Sequence, residues 1–182
     1  MKAINLTNVK EAGQFRLPVG GYVCKITNVV DVPEKKYLLV EYDIAEGEYK
    51  DYYKQLQESK NFWGGSMCKS YKEKALPMLK RFCSAVTKSN PGYIFDAGEQ
   101  NSDERTLKDK LIGLVFFEEE YLGNNGKVKT RLKVDYETEV SKIRSKDYKI
   151  KEKKCIPEDQ KPKDTSDFMT IPDNVDEELP FD

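Results

Sequence analysis

Four cations occupy every second position of Lys127-Val-Lys-Thr-Arg-Leu-Lys133. In an extended strand alternate side chains share a face. Lys127, Lys129, Arg131 and Lys133 therefore point one way, and Val128, Thr130, Leu132 and Val134 the other. Cations spaced roughly 6–7 Å apart suit the phosphates of an extended nucleic-acid strand, although the same pattern also describes an ordinary solvated strand face. Rings interleave with cations elsewhere. Lys50, Tyr52 and Lys54 alternate in Tyr49-Lys-Asp-Tyr-Tyr-Lys-Gln55, and Phe62-Trp63 stands beside Gly64 and Gly65 with Lys60 close by. Tyr37 is a further ring, on a strand face that also carries Glu41 and Asp43. Cations for phosphates and flat rings for unpaired bases are the combination that binds single strands without reading their sequence. Each ring taken alone is as well explained by packing on a sheet.

The C-terminus concentrates the opposite charge. Residues 157–182 carry a net −7, which leaves +6 on residues 1–156 of a chain whose total is −1. A basic body with an acidic end suits a polyanion ligand together with a separate protein partner. The last residues, Asp173-Asn-Val-Asp-Glu-Glu-Leu-Pro-Phe-Asp182, follow acids with a short apolar anchor. Asp176, Glu177, Glu178, Leu179, Pro180 and Phe181 are the predicted docking residues, suited to a basic-rimmed apolar pocket on a partner. A merely solubilising tail would explain the acids and leave Leu179-Pro180-Phe181 unexplained.

Other chemistry is narrowed by composition. The 182 residues include no His, which removes His-dependent triads, His-based acid–base groups and His-Glu-x-x-His metal sites. Cys24, Cys68, Cys83 and Cys155 are scattered and form no Cys-x-x-Cys pair, so they read as buried thiols in a reducing compartment. No catalytic residue, metal site or cofactor is predicted. The N-terminus lacks the apolar run of a signal peptide, and Leu111–Phe117 is too short to span a membrane, which predicts a cytoplasmic protein without membrane contact.

The elements that must position these residues follow from periodicity. Residues 1–20 read as a lead-in ending in the turn signal Pro18-Val19-Gly20-Gly21. Strands are predicted at Tyr22–Val30, at Tyr37–Ile44 with Leu38, Val40, Tyr42 and Ile44 on the apolar face, and at Tyr49–Gln55. Ser70 and Glu73 have capping-box spacing. Pro77 fits the first turn of a helix whose apolar stripe is Leu76, Leu79, Phe82, Cys83 and Val86, and Asn90-Pro91-Gly92 stops it. Residues 96–110 read as a loop. Gly123-Asn-Asn-Gly126 is a hairpin turn between strands at 111–122 and 127–136, with Asn-Gly tolerant of positive φ. Residues 141–155 are basic, and the 142–154 segment, with Lys50 and Lys54, is expected to help Lys127, Lys129, Arg131 and Lys133 neutralise phosphates. Residues from Pro157 onward lack periodicity, which predicts disorder. Five strands with a helix between the third and fourth is the order of an OB-fold barrel. The predicted organisation is a lead-in at 1–20, an OB-fold domain at 21–152 and an acidic tail at 153–182.

The tail resembles the acidic tip of bacterial single-stranded-DNA-binding proteins, and the body is similar to phage-encoded members of that class. The segments that carry the likeness are Tyr42-Asp-Ile-Ala-Glu-Gly-Glu48, Ser89-Asn-Pro-Gly-Tyr93, Phe116-Phe-Glu-Glu-Glu-Tyr121, Gly126-Lys-Val-Lys-Thr-Arg131 and Ile143-Arg144. The resemblance implies an OB-fold, no catalysis, protection of single-stranded DNA during replication or recombination, and recruitment of replication or recombination proteins through the tail. It is compatible with a homo-oligomer. In the bacterial proteins Phe is the final residue and its carboxylate takes part in docking, whereas here Asp182 follows Phe181. Two other classes compete. Asp43 with Glu48-Tyr49-Lys50 mimics the acid and Glu-x-Lys spacing of a metal-dependent nuclease, although Glu34-Lys35-Lys36 and Glu152-Lys153-Lys154 fit Glu-x-Lys as well. The third class is a non-enzymatic interaction module, such as a phage inhibitor of a host factor.

Overall fold

The chain is described here by a computed structural model for residues 16–61, 63–95 and 103–157. Its strands follow the alternation of the sequence. In β2 (Tyr37–Ile44) Leu38, Val40, Tyr42 and Ile44 are buried, while Tyr37, Leu39 and Glu41 on the other face are half-buried. In β1 (Gly20–Val32) the inward set begins with Cys24 and Ile26 and continues with Val29. That change of parity is produced by a bulge between Ile26 and Asn28, where Thr27 is the extra residue. With β3 (Ser66–Ser70), β4 (Leu111–Leu122) and β5 (Val128–Thr138) they form one five-stranded antiparallel sheet in the order β3-β2-β1-β4-β5.

The strand predicted at Tyr49–Gln55 is instead a turn followed by helix α1 (Tyr52–Lys60), and the third strand is Ser66–Ser70. Tyr52 and Tyr53 are both buried, which a strand could not achieve on one face but adjacent helical positions can. The helix start is held from a distance. Asp43 of β2 accepts hydrogen bonds from the backbone N–H of Tyr53 at 2.9 Å and of Lys54 at 3.0 Å, satisfying two otherwise orphaned helix donors. No local spacing announces that cap. Ser70 likewise ends β3 rather than opening a helix. Its hydroxyl accepts from Lys72 N at 3.2 Å, and Glu73–Ala75 forms a 3-10 turn that runs into α2 (Leu76–Ser89) with Pro77 near the helix start.

Helix α2 lies between β3 and β4 in sequence and packs on β3, β4 and β5. Leu79, Phe82, Ala85 and Val86 enter the core beside Ile26, Val40, Ile112, Leu114 and Phe116, whereas Leu76 is exposed and Cys83 half-buried. Burying a side chain the size of Phe82 completely is worth about 1.5–3 kcal/mol. The predicted loop at 96–110 contributes a 3-10 turn at Glu104–Leu107 whose Leu107 is fully buried.

The two edges of the sheet are β3 and β5. No backbone ladder joins them among the described residues, so the sheet is not closed. They nevertheless meet through side chains: Lys69 of β3 forms an ion pair with Glu137 of β5, and Arg81 of α2 donates to the same carboxylate at 3.2 Å. Lys69 and Glu137 are both buried. Burial and the charge of Arg81 push the Lys69 ammonium down to about 8.

The opposite face of the sheet carries a smaller cluster of Val23, Val115, Val140 and Ile143, covered by α3 (Val140–Arg144). Beyond α3 the chain returns to β4. Lys154 donates to Glu118 O at 2.9 Å and its carbonyl accepts from Glu120 N at 2.8 Å, so residues assigned to the tail by sequence are backbone-paired with the sheet. Leu17, in the predicted lead-in, is buried, and its N–H donates to the Tyr52 hydroxyl at 3.3 Å. All four cysteines are free. Cys24 is buried, but Cys68 and Cys155 are exposed, which corrects the expectation of four buried thiols. No helix among the described residues is long and apolar enough to cross a membrane.

Candidate nucleic-acid interface

β4 and β5 form the long hairpin that the Gly123–Gly126 turn predicts, paired from Leu122↔Val128 back to Gly113↔Thr138. The turn is closed by Gly126 N donating to Gly123 O at 2.9 Å, and the positive φ falls on Gly126 (70°) rather than on either Asn. Leu132 and Val134 pack toward the core, so Lys127, Lys129, Arg131 and Lys133 emerge on the outer face, and all four are exposed. The alternation stops at Asp135. A bulge there changes parity and turns Glu137 inward to Lys69, although sequence spacing alone would place it among the cations.

Across the ladder, Phe117 faces Lys133, Glu119 faces Arg131 and Tyr121 faces Lys129. Glu119 is buried at 7% exposure. Its Oε1 accepts from Arg131 Nε at 2.7 Å and lies 3.4 Å from Lys133 Nζ. Burial alone would raise this carboxyl, but the Arg131 hydrogen bond and the charges of Lys133 and Arg131 outweigh it and hold it below its ordinary value. Arg131 also lies over the Tyr121 ring, 4.9 Å from its centroid, and Lys151 lies 5.2 Å from the centroid of Phe117. Lys154 is the parallel ladder partner of Glu119, so its side chain leaves the sheet on the same side. Lys127 and Lys129 have no ion-pair partner among the described residues. The outcome is one outer face with cations from β5 and from the returning segment, set around a single buried acid and the Tyr121 ring.

The other predicted site residues are not gathered there. Lys50, Tyr52 and Lys54 do not share a strand face: Lys50 lies in a turn, Lys54 on the exposed side of α1, and Tyr52 in the core, where its ring cannot stack on a ligand. Trp63 is half-buried, tilted against Tyr53 at 6.2 Å, and its Nε1 donates to Gly65 O at 3.0 Å. Tyr37 is half-buried on the outer face of β2, three strands from β5 in the sheet order. Phe62 and the docking residues Asp176, Glu177, Glu178, Leu179, Pro180 and Phe181 lie outside the described residues. Tyr121 was missed by sequence reasoning, although the turn register that opposes Leu122 to Val128 also opposes Tyr121 to Lys129. Lys154 belongs to the basic 142–154 segment expected to help the β5 cations, but only its pairing with β4 places it beside them.

The acids of the nuclease alternative are differently employed. Asp43 is buried and its two oxygens are taken by Ile44, Tyr53 and Lys54 backbone donors, while Glu48 is exposed on the following turn. Among the described residues no three Cys, Asp or Glu side chains converge in a way that could hold a metal ion. Comparison with protein-family models and with curated proteins found no match.

Proposed function

We propose that the chain binds single-stranded nucleic acid, DNA in the first instance, with little sequence preference, along the outer face of the β4–β5 hairpin. The observation that carries this reading is the convergence of Lys127, Lys129, Arg131, Lys133 and Lys154 with the Tyr121 ring on one face. Helix α2 also carries exposed lysines, Lys80 and Lys88 within it and Lys74 just before it, but among the described residues none of the three makes a cation–ring contact. Backbone neutralisation by cations together with ring stacking is tolerant of sequence because every nucleotide offers a phosphate and a π face.

An OB-fold body is part of the same proposal. It is supported by the strand order, by edge strands that meet through Lys69 and Glu137, and by a helix packed on both edges. The acidic tip Asp176–Phe181 would recruit protein partners in replication or recombination, as its resemblance to bacterial single-stranded-DNA-binding proteins suggests. The direct test is fluorescence anisotropy of labelled oligo-dT over a salt series, against a duplex of the same length. Salt-sensitive binding that favours the single strand is expected. Equal binding to both strands' forms, or none to either, contradicts the reading.

A further inference from the structure

Beside the turn of the β4–β5 hairpin lies an open concavity lined by Tyr121, Gly123, Asn124, Asn125 and Lys129. Its walls bring together a half-buried phenol ring, an amide and an ammonium. The Asn125 side chain is engaged, its Oδ1 accepting from Lys127 N at 3.2 Å. The Asn124 amide has no hydrogen-bond partner among the described residues, and Lys129 no ion-pair partner.

The ring is also braced. Glu119 holds the Arg131 guanidinium, and that guanidinium lies over Tyr121. Arg131 is not among the residues that line the concavity. A ring held by a cation and lining an open concavity is a prepared surface for a further planar group, because its orientation is set before the ligand arrives. Gly123 keeps the approach low: a Cβ added there would stand 3.0 Å from both the Asn125 Oδ1 and the Lys129 Cε.

Resting on the proposed single-strand binding, we infer that this concavity is a subsite for one unpaired nucleobase. The base stacks on Tyr121, its polar edge meets the Asn124 amide, and the adjoining phosphate meets Lys129. An amide offers both a donor and an acceptor, so any of the bases can satisfy it by rotating in plane, and the subsite selects for the presence of a base rather than its identity.

Short oligo-dT and an abasic oligomer of equal length, titrated against the full chain, separate the base from the backbone. Wild type should prefer the oligomer that carries bases. Tyr121→Ala should lower affinity for dT about tenfold while leaving abasic binding unchanged, and Tyr121→Phe should restore it, since the ring and not the hydroxyl stacks. Lys129→Ala should weaken both oligomers alike. Normal salt-sensitive dT binding by Tyr121→Ala overturns the subsite and leaves the wider reading intact. Absence of binding by wild type to either oligomer overturns both.

Discussion

Glu119 restrains charge as well as neutralising it. Its carboxylate accepts from Arg131, the one guanidinium of the stripe, and sits within reach of Lys133, so part of the β5 charge is spent inside the protein. Glu119→Gln should keep an acceptor for Arg131 while removing the negative charge, and is expected to raise affinity for oligo-dT roughly threefold at low salt, read by anisotropy. The same substitution has a pH signature. The folded carboxyl lies below its ordinary value, so the stability it contributes is complete above the ordinary carboxylate range and disappears as pH falls through the depressed folded value. Acid unfolding of Glu119→Gln should accordingly be shallower than that of wild type below about pH 4. Thr27 makes a separate residue-scale case. The bulge in β1 buries its hydroxyl without a hydrogen-bond partner among the described residues. Thr27→Val keeps the shape and removes the unsatisfied group, and should raise stability by about 1 kcal/mol in urea denaturation.

The elements differ in how far local sequence specifies them. β2 and β5 are written in alternation, the β4–β5 hairpin in its turn chemistry and α2 in its apolar stripe, because each of those signals lies within a few residues of the structure it sets. α1 is not written that way. Its residues alternate like a strand, and what makes them helical is a carboxylate on β2 that reaches the Tyr53 and Lys54 N–H groups. Asp43→Ala should therefore destabilise the protein by about 2 kcal/mol, with the amides of 53–56 losing hydrogen-exchange protection first. Bulges hide information in a similar way. Parity counted along β5 puts Glu137 with the cations, and only the slip at Asp135 reveals it as the partner of Lys69 across the two sheet edges. Glu137→Ala strands a buried ammonium and should cost about 3–5 kcal/mol, whereas the double replacement Lys69→Met with Glu137→Leu should recover most of that loss. If the double variant is no more stable than the single one, the ion pair is not what Glu137 contributes.

At the scale of the whole molecule, the sequence foretold a basic body and an acidic end but not where the body's charge would gather. The β5 stripe was legible because a strand period of two is fixed by the backbone. The place of Lys154 was not, because only the return of the chain to β4 brings that part of the basic 142–154 segment to the stripe, and Tyr52 was misplaced because its strand became a helix. The central claim is that binding depends on the position of charge, not on its total. It is tested most directly by comparing two variants that each lose three positive charges: Lys127→Ala/Lys129→Ala/Lys133→Ala on the hairpin, and Lys74→Ala/Lys80→Ala/Lys88→Ala on and beside α2. The observable is the slope of log affinity for oligo-dT against log salt, to which each phosphate neutralised on a single strand contributes about −0.7. The hairpin variant should flatten the slope by about 2 and lose most of its affinity, while the α2 variant should retain the wild-type slope. Equal losses in the two variants would contradict the account.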